Sequence, residues 1–306
     1  MFVAVAIVGF RNADDVVRCV AALARSTHPD FEIVVCENGG AEAHAALASR
    51  LPAALSGGQP VRILKAPRNL GYAGGVNACL AAAEDADAWW VLNPDTEPAP
   101  LTMERLVARL SAGDSDAVGC TVHFPDGLVQ SHGGRWQGGL ARASSIGYGS
   151  RVEDPVDPRE IERAQNYLNG ASMFVGRRFL REVGPMREDY FLYCEEVEWC
   201  LRARKLGMRL GYAADAPVLH YQGTTMGNFW QFRRRARLSV HLNERNRILL
   251  TKDHYPALVL GVGVSAFALF LYRYGRRMAW RQYLYALGGW WAGVRGERGA
   301  PRWAPS

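Results

Sequence analysis

Trp89-Trp90-Val91-Leu92-Asn93-Pro94-Asp95-Thr96 is the stretch on which the reading of this chain turns. An apolar run of strand character stops abruptly at Asn-Pro-Asp, which is turn chemistry. A carboxylate held just past the end of a buried strand lies where open α/β sheets take their ligands. With Thr96 and Glu97 beside it, Asp95 can offer hard oxygen to a divalent cation, and such a cation can hold phosphates. Alone, the same residues describe an ordinary turn, so their neighbours decide.

Upstream, strand and helix alternate. Residues 3–10 read as a buried strand rather than a signal peptide, which would need a basic segment and a small-residue cleavage site. Asn12 or Asp14 can cap a helix on which Val16, Val17, Val20, Leu23 and Ala24 recur at helical spacing. Residues 31–36 form a second apolar strand ending in Glu37-Asn38-Gly39-Gly40, an alanine-rich helix runs to residue 50, and residues 61–65 give a third strand. The glycine-rich residues 67–77 lead into another helix and then into residues 89–92. Four alternations predict an α/β fold: a mostly parallel, Rossmann-like sheet with helices on both faces.

Downstream, a helix (101–110) and a strand (117–122) keep the rhythm, and residues 123–166 break it. That segment is rich in Gly, Asp, Pro and Arg without a sustained period. Long irregular segments in compact domains tend to be functional, so substrate contacts are expected there. Order returns with residues 167–175, a helix at 178–183, an aromatic run at 190–193, a helix at 195–206, and two short strands at 209–212 and 217–221.

Three further motifs carry chemistry. Asn69-Leu70-Gly71-Tyr72-Ala73-Gly74-Gly75-Val76-Asn77 places three glycines before a helix, where backbone can approach a phosphate and the helix N-terminus attracts it. It is not Gly-x-Gly-x-x-Gly and it follows the third strand, which argues against a dinucleotide site; no P-loop sequence occurs either. Glu195-Glu196-Val197-Glu198 opens a helix that closes with Arg202, Arg204 and Lys205. Acids in a first turn complement the helix dipole. Three in four residues is nevertheless a costly density of like charge, which a metal or a reacting hydroxyl explains better, and a raised pKa suits one of them to general-base work. His220 follows a short strand, and both a structural role and metal ligation are open to it.

In this order, residues 69–77, Leu92-Asn93-Pro94-Asp95, Gly170-Ala171-Ser172-Met173, Val183-Gly184-Pro185-Met186, Phe191-Leu192-Tyr193-Cys194-Glu195-Glu196-Val197-Glu198-Trp199-Cys200 and Val218-Leu219-His220 resemble the family-two inverting glycosyltransferases of GT-A fold. The closest likeness is to their rhamnosyltransferase-like branch. The resemblance implies a catalytic domain over residues 1–227, its nucleotide-sugar part at 1–122 and its acceptor part at 123–227. It implies that Glu37 and Asn38 meet the nucleotide base and that Asn69, Gly71, Gly74, Gly75 and Asn77 shape the donor site. Asn93 and Asp95 stand in the family's Asp-x-Asp element, with Asp95 on a Mg²⁺ or Mn²⁺ ion and His220 a further ligand. Glu196 matches the catalytic base. Two departures matter: the family usually has Asp where Glu37 stands, and often Asp where Glu196 stands. The longer side chain leaves the base shared between Glu195 and Glu196. The expected reaction moves a sugar, with rhamnose from dTDP-rhamnose the leading donor, onto a glycan or lipid-linked hydroxyl in one inverting displacement. A sugar nucleotidyltransferase would carry a glycine-rich triphosphate loop after the first strand, which Gly9-Phe10-Arg11-Asn12 is not. A catalytically silent nucleotide- or glycan-binding protein would bind donor without turning it over.

The charge is divided. Through residue 232 there are 22 Lys and Arg against 27 Asp and Glu, and from Arg233 there are 14 against 3, so the net +6 is −5 in the body and +11 in the tail. Within the tail (228–306), residues 229–251 read as a long helix bearing Arg233, Arg234, Arg235, Arg237, Arg245 and Arg247. Residues 257–272 are apolar, and at about 1.5 Å per residue they span ~24 Å, short of a ~30 Å hydrocarbon core. Lys252 lies on one flank and Arg273, Arg276, Arg277 and Arg281 on the other, which favours an in-plane or re-entrant segment over a crossing. Trp280, Tyr283, Tyr285, Trp290 and Trp291 supply interfacial aromatics. This predicts peripheral attachment to the cytoplasmic face of the cell membrane, with anionic lipid rather than nucleic acid as the partner. Packing against the body or a second copy, as a homodimer, is the alternative. Cys19, Cys36, Cys79, Cys120, Cys194 and Cys200 include no Cys-x-x-Cys pair and read as buried thiols in a reducing compartment.

Overall fold

The computed structural model describes residues 1–221 and 235–304. Its strands are β1 (Val3–Gly9), β2 (Phe31–Glu37), β3 (Val61–Lys65), β4 (Ala88–Leu92), β5 (Thr96–Pro98), β6 (Ala117–His123), β7 (Val129–Ser131), β8 (Gly133–Gln137), β9 (Arg142–Ile146), β10 (Ser172–Gly176) and β11 (Leu210–His220). Its helices are α1 (Ala13–Leu23), α2 (Ala41–Ala48), α3 (Gly71–Ala82), α4 (Thr102–Ser111), α5 (Pro158–Ala164), α6 (Arg177–Val183), α7 (Glu195–Lys205), α8 (Arg237–His254), α9 (Val259–Gly275) and α10 (Trp280–Arg295).

One sheet organises the body, in the order β3-β2-β1-β4-β10-β6-β11-β5, with β7 on β6; β8 and β9 pair as a separate hairpin. The first four strands are mutually parallel. β10 runs antiparallel between β4 and β6, so its N-terminal end meets the C-terminal end of β4. That reversal brings Gly170 and Ala171 beside the Asn93-Pro94-Asp95 turn, where Asn93 N–H donates to the Ala171 carbonyl at 3.0 Å.

The period-2 alternation of β1 explains the two helical layers. Val3, Val5 and Ile7 join Val16, Val20 and Leu23 of α1 and Met103 and Leu106 of α4. Ala4, Ala6 and Val8 face the other way, toward Val76, Cys79 and Leu80 of α3. Small residues on that face let α3 lie close: a Cβ on Gly75 would meet Val8 Cγ1 at 2.6 Å.

Several expectations are corrected. The glycines at 71, 74 and 75 lie inside the first turns of α3 rather than before it. Residues 123–166 are not one irregular stretch but hold β7, β8, β9 and α5. The two strands expected at 209–212 and 217–221 are one strand, β11, whose register shifts between Ala213 and Pro217. The tail helix begins, among the described residues, at Arg237; Arg233, Arg234 and the 227/228 boundary lie outside them. All six cysteines are buried and free.

α8 packs on the body: Ile248, Leu249 and Leu250 join the same core as Trp199 of α7 and Val76 of α3. α10 crosses α8 closely, since a Cβ on Gly289 or Gly293 would fall 2.1 Å from the His241 carbonyl or 2.8 Å from that of Arg245. The helical stretch Pro256–Gly275 outruns the apolar run read from the sequence, and its 20 residues are long and apolar enough to cross a membrane. One face of it is packed, through Val262, Ala266, Phe270 and Tyr274. The other shows Leu260 and Val264 at 86% and 72% exposure.

Candidate active site

The C-terminal ends of β1, β2 and β4 converge on one side of the sheet, and the candidate residues sort by what they touch there. Glu37, at the end of β2, is buried, and its Oε1 accepts from Arg11 N–H at 3.1 Å and Gly39 N–H at 2.7 Å. It braces the loop after β1 against the loop after β2. Asn38 donates to the Gly71 carbonyl (2.8 Å) and accepts from Leu70 N–H (3.3 Å). Asn69 accepts from Gly71 N–H at 3.0 Å. Asn38 and Asn69 therefore build the entry to α3. Gly71 has φ +74°, and a Cβ there would stand 2.2 Å from the Phe191 carbonyl oxygen. Only glycine fits a left-handed residue pressed that closely on backbone. Asn77 is placed elsewhere: its amide donates to the Met186 carbonyl and the Glu188 carboxylate and accepts from Met186 N–H. It clamps the loop after α6, and this structure gives it no place among the converging strand ends.

Tyr72, one residue past Gly71, joins the two sides of the site. Its hydroxyl donates within reach of Asn93 Oδ1 (3.0 Å) and the Gly170 carbonyl (3.1 Å). Burial, then the charges of Glu195, Glu196 and Asp95, push its pKa well above the ordinary value, so it stays a neutral donor. Asp95 Oδ1 lies 3.2 Å from His220 Nε2. Thr96 and Glu97 do not join Asp95 as expected: the Thr96 hydroxyl donates to the Asn93 carbonyl, and Glu97 is taken by Tyr221 and Arg18.

The Asp95–His220 pair fits a divalent cation. His220 Nδ1 meets Gln130 Oε1 at 2.7 Å, and an amide oxygen can only accept, so Nδ1 carries the proton. Nε2 is left as the nitrogen that faces the Asp95 carboxylate, and an imidazole fixed by an outer hydrogen bond with its other nitrogen beside a carboxylate is a donor set that a divalent cation takes. Among the described residues no third His, Cys, Asp or Glu completes the set.

The acids of α7 stand on a strained approach. Phe191 (φ 67°), Tyr193 (φ 74°) and Cys194 (φ 69°) are non-glycine residues with positive φ. Leu192 N–H donates to the Tyr190 carbonyl at 2.9 Å, closing a three-residue turn about Phe191 of the strained kind. Each such residue costs on the order of 1–3 kcal/mol and persists only where its surroundings over-determine it. Glu195 follows directly. It is buried, with Oε2 unpartnered among the described residues, and burial followed by the Glu196 charge pushes its pKa up to about 8. Glu196 is raised by burial as well, and its Cγ packs against Gly170, where a Cβ would come within 3.2 Å. Glu198 differs: Arg202 Nε lies 3.0 Å from it and His254 Nε2 3.6 Å. Burial alone would raise Glu198, but these partners outweigh it and hold it below the ordinary value.

Asp95, Asn93, Tyr72, Gly170 and Glu196 thus form a continuous line across the sheet edge. Tyr72 and Gln130 were missed as site residues. Tyr72 lies within a motif whose glycines carry the signal, and Gln130 lies in a segment with no legible period.

Solved glycosyltransferases share this architecture. The structure is similar to GalNAc-T7 with UDP, GalNAc and Mn²⁺ (TM-score 0.59, 16% identity), covering 80% of this chain and 48% of that one, about half its length. It is also similar to the mannosyltransferase PcManGT of Pyrobaculum calidifontis with GDP-Man and Mn²⁺ (TM-score 0.56, 13% identity, 96% and 87% covered). At such identities the likeness establishes the fold, and the class it defines is GT-A. The family model described as Glycosyl transferase family 2 matches residues 4–182, more than half of the chain. The chain belongs to that family and is a glycosyltransferase by class. Among curated relatives, it is 28% identical over 235 residues to the N-acetylglucosaminyl-diphospho-decaprenol L-rhamnosyltransferase of Mycobacterium tuberculosis, covering 69% of this chain and 73% of that protein. It is 24% identical over 188 residues to the low-salt glycan biosynthesis hexosyltransferase Agl10 of Haloferax volcanii (60% and 58% covered).

Proposed function

We propose that the chain moves a sugar, rhamnose from dTDP-rhamnose, onto a hydroxyl of a glycan or lipid-linked acceptor, inverting the anomeric centre. The observation that supports this reading is the line from the Asn93–Asp95 turn through Tyr72 and Gly170 to Glu196, in which Asp95 would anchor the diphosphate and Glu196 is a carboxylate of raised pKa. The rhamnosyl donor and lipid-linked acceptor are supported by the name of the mycobacterial relative. Asp95 and His220 would hold a Mg²⁺ or Mn²⁺ ion, which when bound screens the charge of the departing diphosphate. Glu196 takes the proton of the acceptor hydroxyl as its oxygen bonds to the anomeric carbon; the bond from that carbon to the diphosphate breaks on the opposite face. A carboxylate held above its ordinary pKa is a stronger base, suited to work near neutral pH. Tyr72 keeps Asn93 and the Gly170 carbonyl in place, and Glu195 shares the buried charge.

Peripheral membrane attachment belongs to the same proposal. Leu260, Val264, Leu284, Trp280 and Trp291 are exposed on α9 and α10, and Arg276, Arg277 and Arg281 are exposed where the two helices join, a composition suited to an anionic bilayer surface. Each basic residue there contributes on the order of 1 kcal/mol.

The test is a panel of UDP-, dTDP- and GDP-sugars with Mg²⁺ or Mn²⁺, scored by nucleoside diphosphate release with and without a chelator. Release from dTDP-rhamnose that stops on chelation is expected. Release from no sugar nucleotide would overturn the reading. A Leu260→Asp/Val264→Asp variant that floats with phosphatidylglycerol vesicles as well as wild type would overturn the membrane part.

A further inference from the structure

The turn from Tyr190 to Cys194 is strained, yet it directly precedes Glu195 and Glu196, so something must hold it. Its carbonyls show what does. The Phe191 carbonyl accepts from Tyr72 N–H at 2.8 Å, at the start of α3. Every other carbonyl from Tyr190 to Tyr193 is taken by α8, a helix of the tail. Asn246 Nδ2 donates to the carbonyls of Tyr190 (3.0 Å), Leu192 (2.8 Å) and Tyr193 (2.8 Å). Arg245 Nη2 donates to the Tyr190 carbonyl at 2.9 Å, and its Nε donates to Asn246 Oδ1 at 2.9 Å, which fixes the amide with its NH₂ toward the turn. Arg245 Nη1 reaches the Gly299 carbonyl at 2.6 Å. Both side chains are buried, at 2% and 0% exposure. A buried guanidinium whose hydrogen bonds go to carbonyls and an amide, with no carboxylate in ion-pair range among the described residues, is an expensive way merely to attach a helix. Apolar residues would attach it as well, and Leu249 and Leu250 already do.

We infer that Arg245 and Asn246 of α8 are positioning residues for catalysis: they hold the Tyr190–Cys194 turn in its strained form and thereby aim the Glu195–Glu196 pair. The inference rests on the proposed reading that this pair supplies the base. It also makes the basic tail part of the catalytic apparatus, independent of any lipid it binds. The turn is gripped from both sides, by the first turn of α3 through Phe191 and by the tail through Tyr190, Leu192 and Tyr193.

The experiment compares wild type with Asn246→Ala, which removes the donors, and Asn246→Asp, which keeps the shape and turns acceptors toward acceptors. Donor-competent sites are counted by calorimetric titration with nucleoside diphosphate, and turnover is expressed per site. Both variants are expected to lose roughly 10²-fold in kcat per site, the scale of a small misplacement of reacting groups, with nucleoside diphosphate Kd changed by less than about threefold. A merely structural residue would lower the number of sites and leave turnover per site unchanged, and that result would overturn the inference. Should those variants not fold, Asn246→Ser, which keeps one donor, is expected to lose about tenfold per site; wild-type turnover in it overturns the inference. Full turnover in both Glu195→Gln and Glu196→Gln would remove the base on which it rests, a failure visible separately from the Asn246 results.

Discussion

Glu195 and Glu198 stand one turn apart on α7, both buried, in opposite electrostatic surroundings. Glu198 faces Arg202 of its own helix and His254 at the end of α8, and Arg202 also donates to the carbonyls of Val183 and Pro185. Glu195 has an oxygen unpartnered among the described residues and a second carboxylate beside it. The acid at 198 is spent on joining the tail to the body, and the acids at 195 and 196 are kept poorly compensated. A first turn rich in acids is therefore two devices in one, and the difference lies in which neighbouring element reaches each side chain.

The largest test of this contrast is chemical. Glu196→Gln keeps shape and loses basicity, so turnover should fall by about 10²–10⁴-fold with donor affinity little changed; single-turnover and binding measurements read the two separately. A dead Glu195→Gln beside an active Glu196→Gln would move the base one residue back. Next, Glu198→Ala leaves Arg202 without its carboxylate and should lower unfolding stability by about 2–3 kcal/mol. Turnover per folded molecule should persist, which denaturant titration and kinetics together would check.

The third test uses pH. Glu195, raised from 4.5 to about 8, keeps a proton in the native state that the unfolded chain releases, so its contribution to stability is lost as pH rises between those values. Glu198, held low, acts oppositely: its contribution is present above its unfolded pKa and lost as pH falls. Glu195→Gln should thus stabilise the protein at pH 8 and not at pH 4. Unfolding curves that shift equally at both pH values would break the contrast. The smallest effect belongs to His254→Gln, which should cost about 0.5–1 kcal/mol and leave kinetics intact.

Much of the fold was legible because its signals are local. Residues 3–10, 31–36 and 61–65 are apolar runs between turn residues, and the structure forms β1, β2 and β3 there, within one residue of those bounds. The Asn93-Pro94-Asp95 turn stands where its chemistry put it. The antiparallel entry of β10 was not legible, because a strand's residues do not name its partner. β7, at three residues, is too short to show a period, and with it went Gln130. Gly71 was singled out for phosphate approach, whereas its left-handed φ and its contact with Phe191 tie it to the catalytic turn. Arg245 reads as one of the arginines on a basic helix, and Asn246 carries no signal of its own. That an arginine is buried depends on carbonyls some fifty residues upstream, which no local pattern encodes.

The last described stretch closes back on the body: Gly299 N–H donates to the Asp189 carbonyl, and Arg298 bridges Asp189 and Asp253. On the ribosome this imposes an order of events. Glu196 is made about a hundred residues before Gly299, so at about 5–20 residues per second the nascent chain carries its carboxylates for roughly 5–20 s before the group that receives Arg245 exists. A chain stalled between residues 246 and 299 has the residues of every strand and both carboxylates, yet lacks the carbonyl that seats the guanidinium behind them.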